Sequence, residues 1–68
     1  MNDDVLNMSL RKFLKKVGVT SQREIEDAVK QALQSGSLKG SEKLPATVHL
    51  KIPAVGLDVV IDGDIELE

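Results

Sequence analysis

Apolar residues recur at helical spacing along the first half of the chain and at every second position along the last third. Leu6, Leu10, Phe13, Leu14 and Val17 follow i, i+4, i+7, i+8 and i+11, the pattern of a single buried stripe. This predicts a first helix over about residues 4–17. Arg11, Lys12, Lys15 and Lys16 fall on its other side, with Met8 among them. Asp3 and Asp4 stand at its start and the lysines near its end, as the helix dipole favours. Ile25, Ala28, Val29, Ala32 and Leu33 repeat at i, i+3, i+4, i+7 and i+8, predicting a second helix over about residues 22–35. Two alanines in that face would let a neighbouring element approach closely. Glu26 and Lys30 form an i, i+4 pair of favourable orientation, worth roughly 0.2–0.5 kcal/mol.

Gly18-Val19-Thr20-Ser21-Gln22-Arg23-Glu24-Ile25 joins the two patterns. Gly18 can take the positive φ that closes a helix, and Ser21 can cap the next one while Glu24 reaches back to it. A capped corner is therefore expected here. Gly36 is placed to end the second helix, with Leu38 folding back on the last turn.

A polar connector with two glycines, residues 36–45, precedes a change of period. In Thr47-Val48-His49-Leu50-Lys51-Ile52 the even positions are apolar and the odd ones polar, which predicts a half-buried strand over about residues 46–52. Pro53-Ala54-Val55-Gly56 reads as a turn. Leu57, Val59 and Ile61 would then face inward while Asp58 and Asp62 face out, predicting a return strand over about residues 57–67 and hence a hairpin. A two-residue turn at Asp62-Gly63 would put Ile65 and Leu67 on the wet face. One apolar face survives if the strand continues through Gly63, or if a three-residue loop pairs Ile61 with Ile65. The continuous strand, kinked or bulged at Gly63, is favoured. The expected fold is a single α+β domain, residues 1–68, with the two helices packed on one face of a small antiparallel sheet. Two strands alone are barely stable, so a second chain at a sheet edge would complete the structure.

Size sharpens that point. A chain of 68 residues buries only roughly 60% of the surface its unfolded form exposes. Cysteine is absent and His49 is the one histidine, which removes disulfides, thiolate metal sites and imidazole clusters. No cofactor or metal site is expected, and packing or a homodimer is left as the means of support. The missing cysteines fit a reducing cytoplasm. The acidic start lacks the basic and apolar regions of a signal peptide, and the longest aliphatic run is Val59-Val60-Ile61. A soluble cytoplasmic protein without membrane contact is expected.

The formal net charge of −2 is unevenly placed. Residues 1–43 hold eight Lys/Arg against six Asp/Glu, and residues 44–68 one Lys against five Asp/Glu. The positive half invites a nucleic-acid reading, and the junction at Gly18 resembles a helix-turn-helix. In that motif the turn glycine is followed six and nine residues later by buried apolar residues, yet Glu24 and Asp27 stand there. Those acids, with Glu26, would face phosphate. The basic face, Arg11, Lys12, Lys15 and Lys16 with Met8, remains a candidate partner contact. Single-strand binders add aromatic platforms, whereas Phe13, the only aromatic residue, belongs to the apolar stripe. Asp62, Asp64, Glu66 and Glu68 alternate on one strand face, but a calcium loop aligned on Asp62-Gly63 places Val60 at its third position. His49 has no nucleophile or carboxylate at a motif spacing. No catalytic residue is therefore assigned and no enzyme is expected.

From Met1-Asn2 through Asn7-Met8-Ser9 and Arg11 to Glu26, and again at Lys43-Leu44-Pro45-Ala46 and Ile61 to Leu67, the chain resembles a family of small bacterial proteins known only as a domain of unknown function. The resemblance covers nearly the whole chain and implies a bacterial, cytoplasmic protein. It brings no activity and no site residues. The functional expectation is a non-enzymatic protein-interaction module with an unidentified protein partner or a second copy of itself. The alternative is a nucleic-acid-associated protein using the basic helix face.

Overall fold

The computed structural model describes all residues, Met1–Glu68. The element order is α1 (Asp3–Ser35), β1 (Lys43–Ile52), a 3-10 turn (Pro53–Val55) and β2 (Leu57–Glu66). The chain divides into two units, Met1–Ser37 and Leu38–Glu68.

The first unit is one helix of 33 residues. This corrects the expected pair of helices over residues 4–17 and 22–35: the chain runs through Gly18 to Ser21 without a corner. The reason lies in phase. Leu6, Val17 and Ala28 are eleven residues apart, as are Leu10, Ser21 and Ala32, and Leu14 and Ile25. At about 3.67 residues per turn such a period keeps both stripes on one side of a nearly straight helix. No proline precedes Pro45, and Gly18 keeps an ordinary negative φ. A glycine inside a helix costs about 0.8–1.0 kcal/mol relative to alanine. Breaking the ladder there would instead orphan four N–H and four C=O groups. Ser21 thus lies inside the helix, and Gln22 Nε2 donates to Glu26 Oε1 at 2.8 Å. The expected Glu26–Lys30 ion pair is not among those formed.

Both helix ends are chemically specified. Asn2 is the N-cap, its side-chain oxygen accepting from the amides of Asp4 at 3.0 Å and Val5 at 3.2 Å. Asp3 and Asp4 then occupy the first turn, where the dipole favours acids. Gly36 ends the helix with φ +83 and donates its N–H to the Leu33 carbonyl at 3.3 Å, as its place in the sequence predicts.

The second unit is an antiparallel hairpin with an unbroken register from Lys43↔Glu66 to Ile52↔Leu57. β1 starts at Lys43, earlier than predicted, and β2 is continuous through Gly63, which pairs with Ala46. A two-stranded sheet leaves each strand one free edge, so Pro45 is accommodated inside β1. The turn is a 3-10 turn closed by Gly56, which has φ +66 and donates to the Pro53 carbonyl at 3.1 Å. The register gathers Leu44–Ile65, Ala46–Gly63, Val48–Ile61, Leu50–Val59 and Ile52–Leu57 on one face. Cross-strand apolar pairs of this kind contribute about 0.2–1 kcal/mol each. No residue of either unit is buried.

Candidate functional site

On α1 the residues Met8, Arg11, Lys12, Lys15 and Lys16 recur at i, i+3, i+4, i+7 and i+8, so they share one face as expected. Met8 is 71% exposed. None of the four cations enters an ion pair; those formed are Lys43–Glu66 and His49–Asp58. The apolar stripe lies on the other side of the helix and has no buried residue. Leu6, Leu10, Phe13 and Leu14 are exposed, and Val17, Ser21, Val29 and Ala32 are half-buried. An open hollow in the helix surface is lined by Phe13, Lys16, Val17, Thr20 and Ser21. Four of these stand at i, i+3, i+4 and i+7, the arrangement that receives a side chain from a facing helix.

The hairpin offers a second apolar surface. Val48 is 45% and Ile61 56% exposed, although both face the same side of the sheet as eight other apolar or glycine positions. Alternation makes the opposite face polar. There Lys43 Nζ meets Glu66 Oε1 at 3.8 Å, and His49 Nε2 is hydrogen-bonded to Asp58 Oδ1. Spacing in the sequence did not connect His49 with a carboxylate. The register does, because Lys51 pairs with Asp58 and His49 with Val60, making His49 and Asp58 diagonal neighbours. Asp62 and Asp64 stand opposite Thr47 and Pro45, and no group of three or more His, Cys, Asp or Glu is arranged to hold a metal ion.

Glu42 is the other group that sequence reasoning passed over. Its carboxylate accepts the backbone N–H of Lys39 at 2.8 Å, of Gly40 at 2.9 Å and of Ser41 at 3.1 Å. These donors, Lys39 first and then Gly40, hold its carboxyl below the ordinary carboxylate value. The two polar clusters therefore close a loop and tie strand to strand, whereas the basic face of α1 has no ion-pair partner.

A long capped helix followed by a two-stranded antiparallel hairpin defines a small α+β protein. No helix is long and apolar enough to cross a membrane. The chain belongs to a family of unknown function, DUF6494, which it matches over residues 1–68. Neither the curated proteins nor the solved structures yield a match.

Proposed function

We propose that this protein is a non-enzymatic interaction module of the bacterial cytoplasm, which docks an apolar face against a protein partner or a second copy of itself. The observation that carries this reading is the absence of any buried residue in a chain with regular, well-capped elements. Contiguous apolar patches on an ordered surface mark interaction sites, and here such a patch occurs on the helix and another on the sheet. The lack of cysteine supports a reducing compartment.

The test is chemical cross-linking of the full chain in nuclease-treated lysate of its own cells, followed by mass spectrometry. A stoichiometric protein adduct, self or foreign, that disappears on Val48→Lys with Ile61→Lys or on Leu10→Glu with Ala28→Glu supports the reading. The absence of any such adduct overturns it.

The four unpaired cations on the basic face of α1 favour one second reading, attachment to nucleic acid. Lys12→Glu, Lys15→Glu and Lys16→Glu together would then abolish retention on an oligonucleotide column. A wild-type chain that shows no salt-dependent retention at low ionic strength refutes it.

A further inference from the structure

We propose that α1 is a homodimerisation element, pairing antiparallel with α1 of a second copy along its apolar stripe. The proposal rests on the interaction-module reading and names the partner. It starts from the asymmetry of the helix. Among the stripe residues, the bulky Leu6, Leu10, Phe13 and Leu14 stand in the N-terminal half, and the small Ser21, Ala28 and Ala32 stand in the C-terminal half together with Ile25. A helix spanning Asp3–Ser35 has its midpoint at Val19. Full overlap of two such helices, antiparallel, therefore places a two-fold axis at that level. Leu6 of one copy then faces Ala32 of the other, Leu10 faces Ala28, Phe13 faces Ile25 and Val17 faces Ser21. Leu6, Leu10, Phe13 and Val17 each meet a smaller side chain, Leu14 comes level with Glu24, and each contact occurs twice. A parallel pair would oppose Leu10 to Leu10 and Ala28 to Ala28, alternating crowding with voids that close packing does not tolerate.

Charge selects the same direction. The segment containing Arg11, Lys12, Lys15 and Lys16 is basic, and the segment containing Glu24, Glu26 and Asp27 is acidic apart from Arg23. In the antiparallel pair Arg11 flanks Glu26 and Lys16 flanks Glu24 of the other copy, again twice. In a parallel pair each segment would lie against its own sign. The hollow lined by Phe13, Lys16, Val17 and Thr20 comes level with Ser21 of the opposing helix, a socket in the dimer seam. The eleven-residue spacing of the stripe keeps the two helices in register over their full length with little supercoiling.

Sedimentation equilibrium of the full chain tests the pairing, and two sets of variants test its direction. The wild type should show twice the chain mass at high micromolar concentration. Arg11→Glu with Lys16→Glu should raise the dimer Kd on the order of tenfold or more, since four attractive pairs become repulsive. Adding Glu24→Lys and Glu26→Lys to the same chain restores opposite charges across the seam and should bring Kd back to within about threefold of wild type. Because the natural chain lacks cysteine, Leu10→Cys and Ala28→Cys chains can be mixed and oxidised. The adduct joining position 10 to position 28 should dominate over that joining 10 to 10. A 10–10 adduct in excess, or failure of the second charge reversal to restore the dimer, overturns the antiparallel pair. Circular dichroism at matched concentration separates these results from loss of the helix. A helical monomer that ignores nucleic acid overturns the helix pair alone. A helical monomer retained on an oligonucleotide column overturns the interaction-module reading as well.

Discussion

Glycines 18 and 36 provide the sharpest test of the helix, because the same substitution should act in opposite directions at the two sites. A Cβ built at either one meets nothing within 4 Å, so neither replacement clashes and backbone conformation alone sets the sign. Gly18 lies in the helix interior with negative φ. There Gly18→Ala reduces the freedom of the unfolded chain and should stabilise by about 0.5–1 kcal/mol. Gly36 closes the helix at φ +83, a conformation that costs an alanine about 1–2 kcal/mol. Gly36→Ala should therefore destabilise by about 1 kcal/mol. In a domain of this size 1 kcal/mol moves Tm by roughly 4–8 °C, so the two variants should straddle the wild type. The assay is thermal and urea unfolding followed at 222 nm, at one fixed protein concentration because association would shift the midpoint. A fall in Tm or in helical signal for Gly18→Ala would refute the continuous helix. It would mean that Gly18 needs positive φ and that the chain turns there.

Three further outcomes follow from the caps and the polar face. Asn2→Ala removes the acceptor of two amides and should cost about 0.5–2 kcal/mol, read as faster amide exchange at Asp4 and Val5; unchanged exchange would discount the cap. Glu42→Gln should open the loop of Lys39 to Ser41, seen as raised amide exchange at Lys39 and Gly40. Because the Glu42 pKa is lowered in the fold from its ordinary 4.5, its contribution is present above that value and is lost as pH falls through the folded value. The same amides should therefore open on acidification in the wild type and show no matching transition in Glu42→Gln. A double-mutant cycle over His49→Ala and Asp58→Ala should return a coupling below about 1 kcal/mol that fades with salt, since both side chains are well exposed; a larger, salt-independent value would contradict this exposure.

Much of the second unit is legible in the sequence. Val48, Leu50 and Ile52 against Leu57, Val59 and Ile61 specify a period of two, and Pro53 to Gly56 a turn. One apolar face then allows a strand that continues through Gly63 or a three-residue loop, and the favoured strand is observed. The Gly36 terminus was equally plain, because a glycine follows the last periodic residue. The basic face of Met8, Arg11, Lys12, Lys15 and Lys16 could be read from spacing alone. Each of these features depends on residues a few positions apart, so the local periodicity carries them.

The fate of Gly18 to Ser21 was not local. A glycine followed by Ser-x-x-Glu is compatible with a capped corner and with a helix interior, and both stripes look the same from either side. The outcome depends on the balance between a hydrogen-bond ladder kept intact and a core that a corner would have to build. With no residue buried, the ladder prevails. The His49–Asp58 contact likewise exists only once the strands are paired, because register brings together residues nine positions apart. Periodicity states which residues share a face. Continuity and register, which rest on free energies summed over whole elements, state what that face meets.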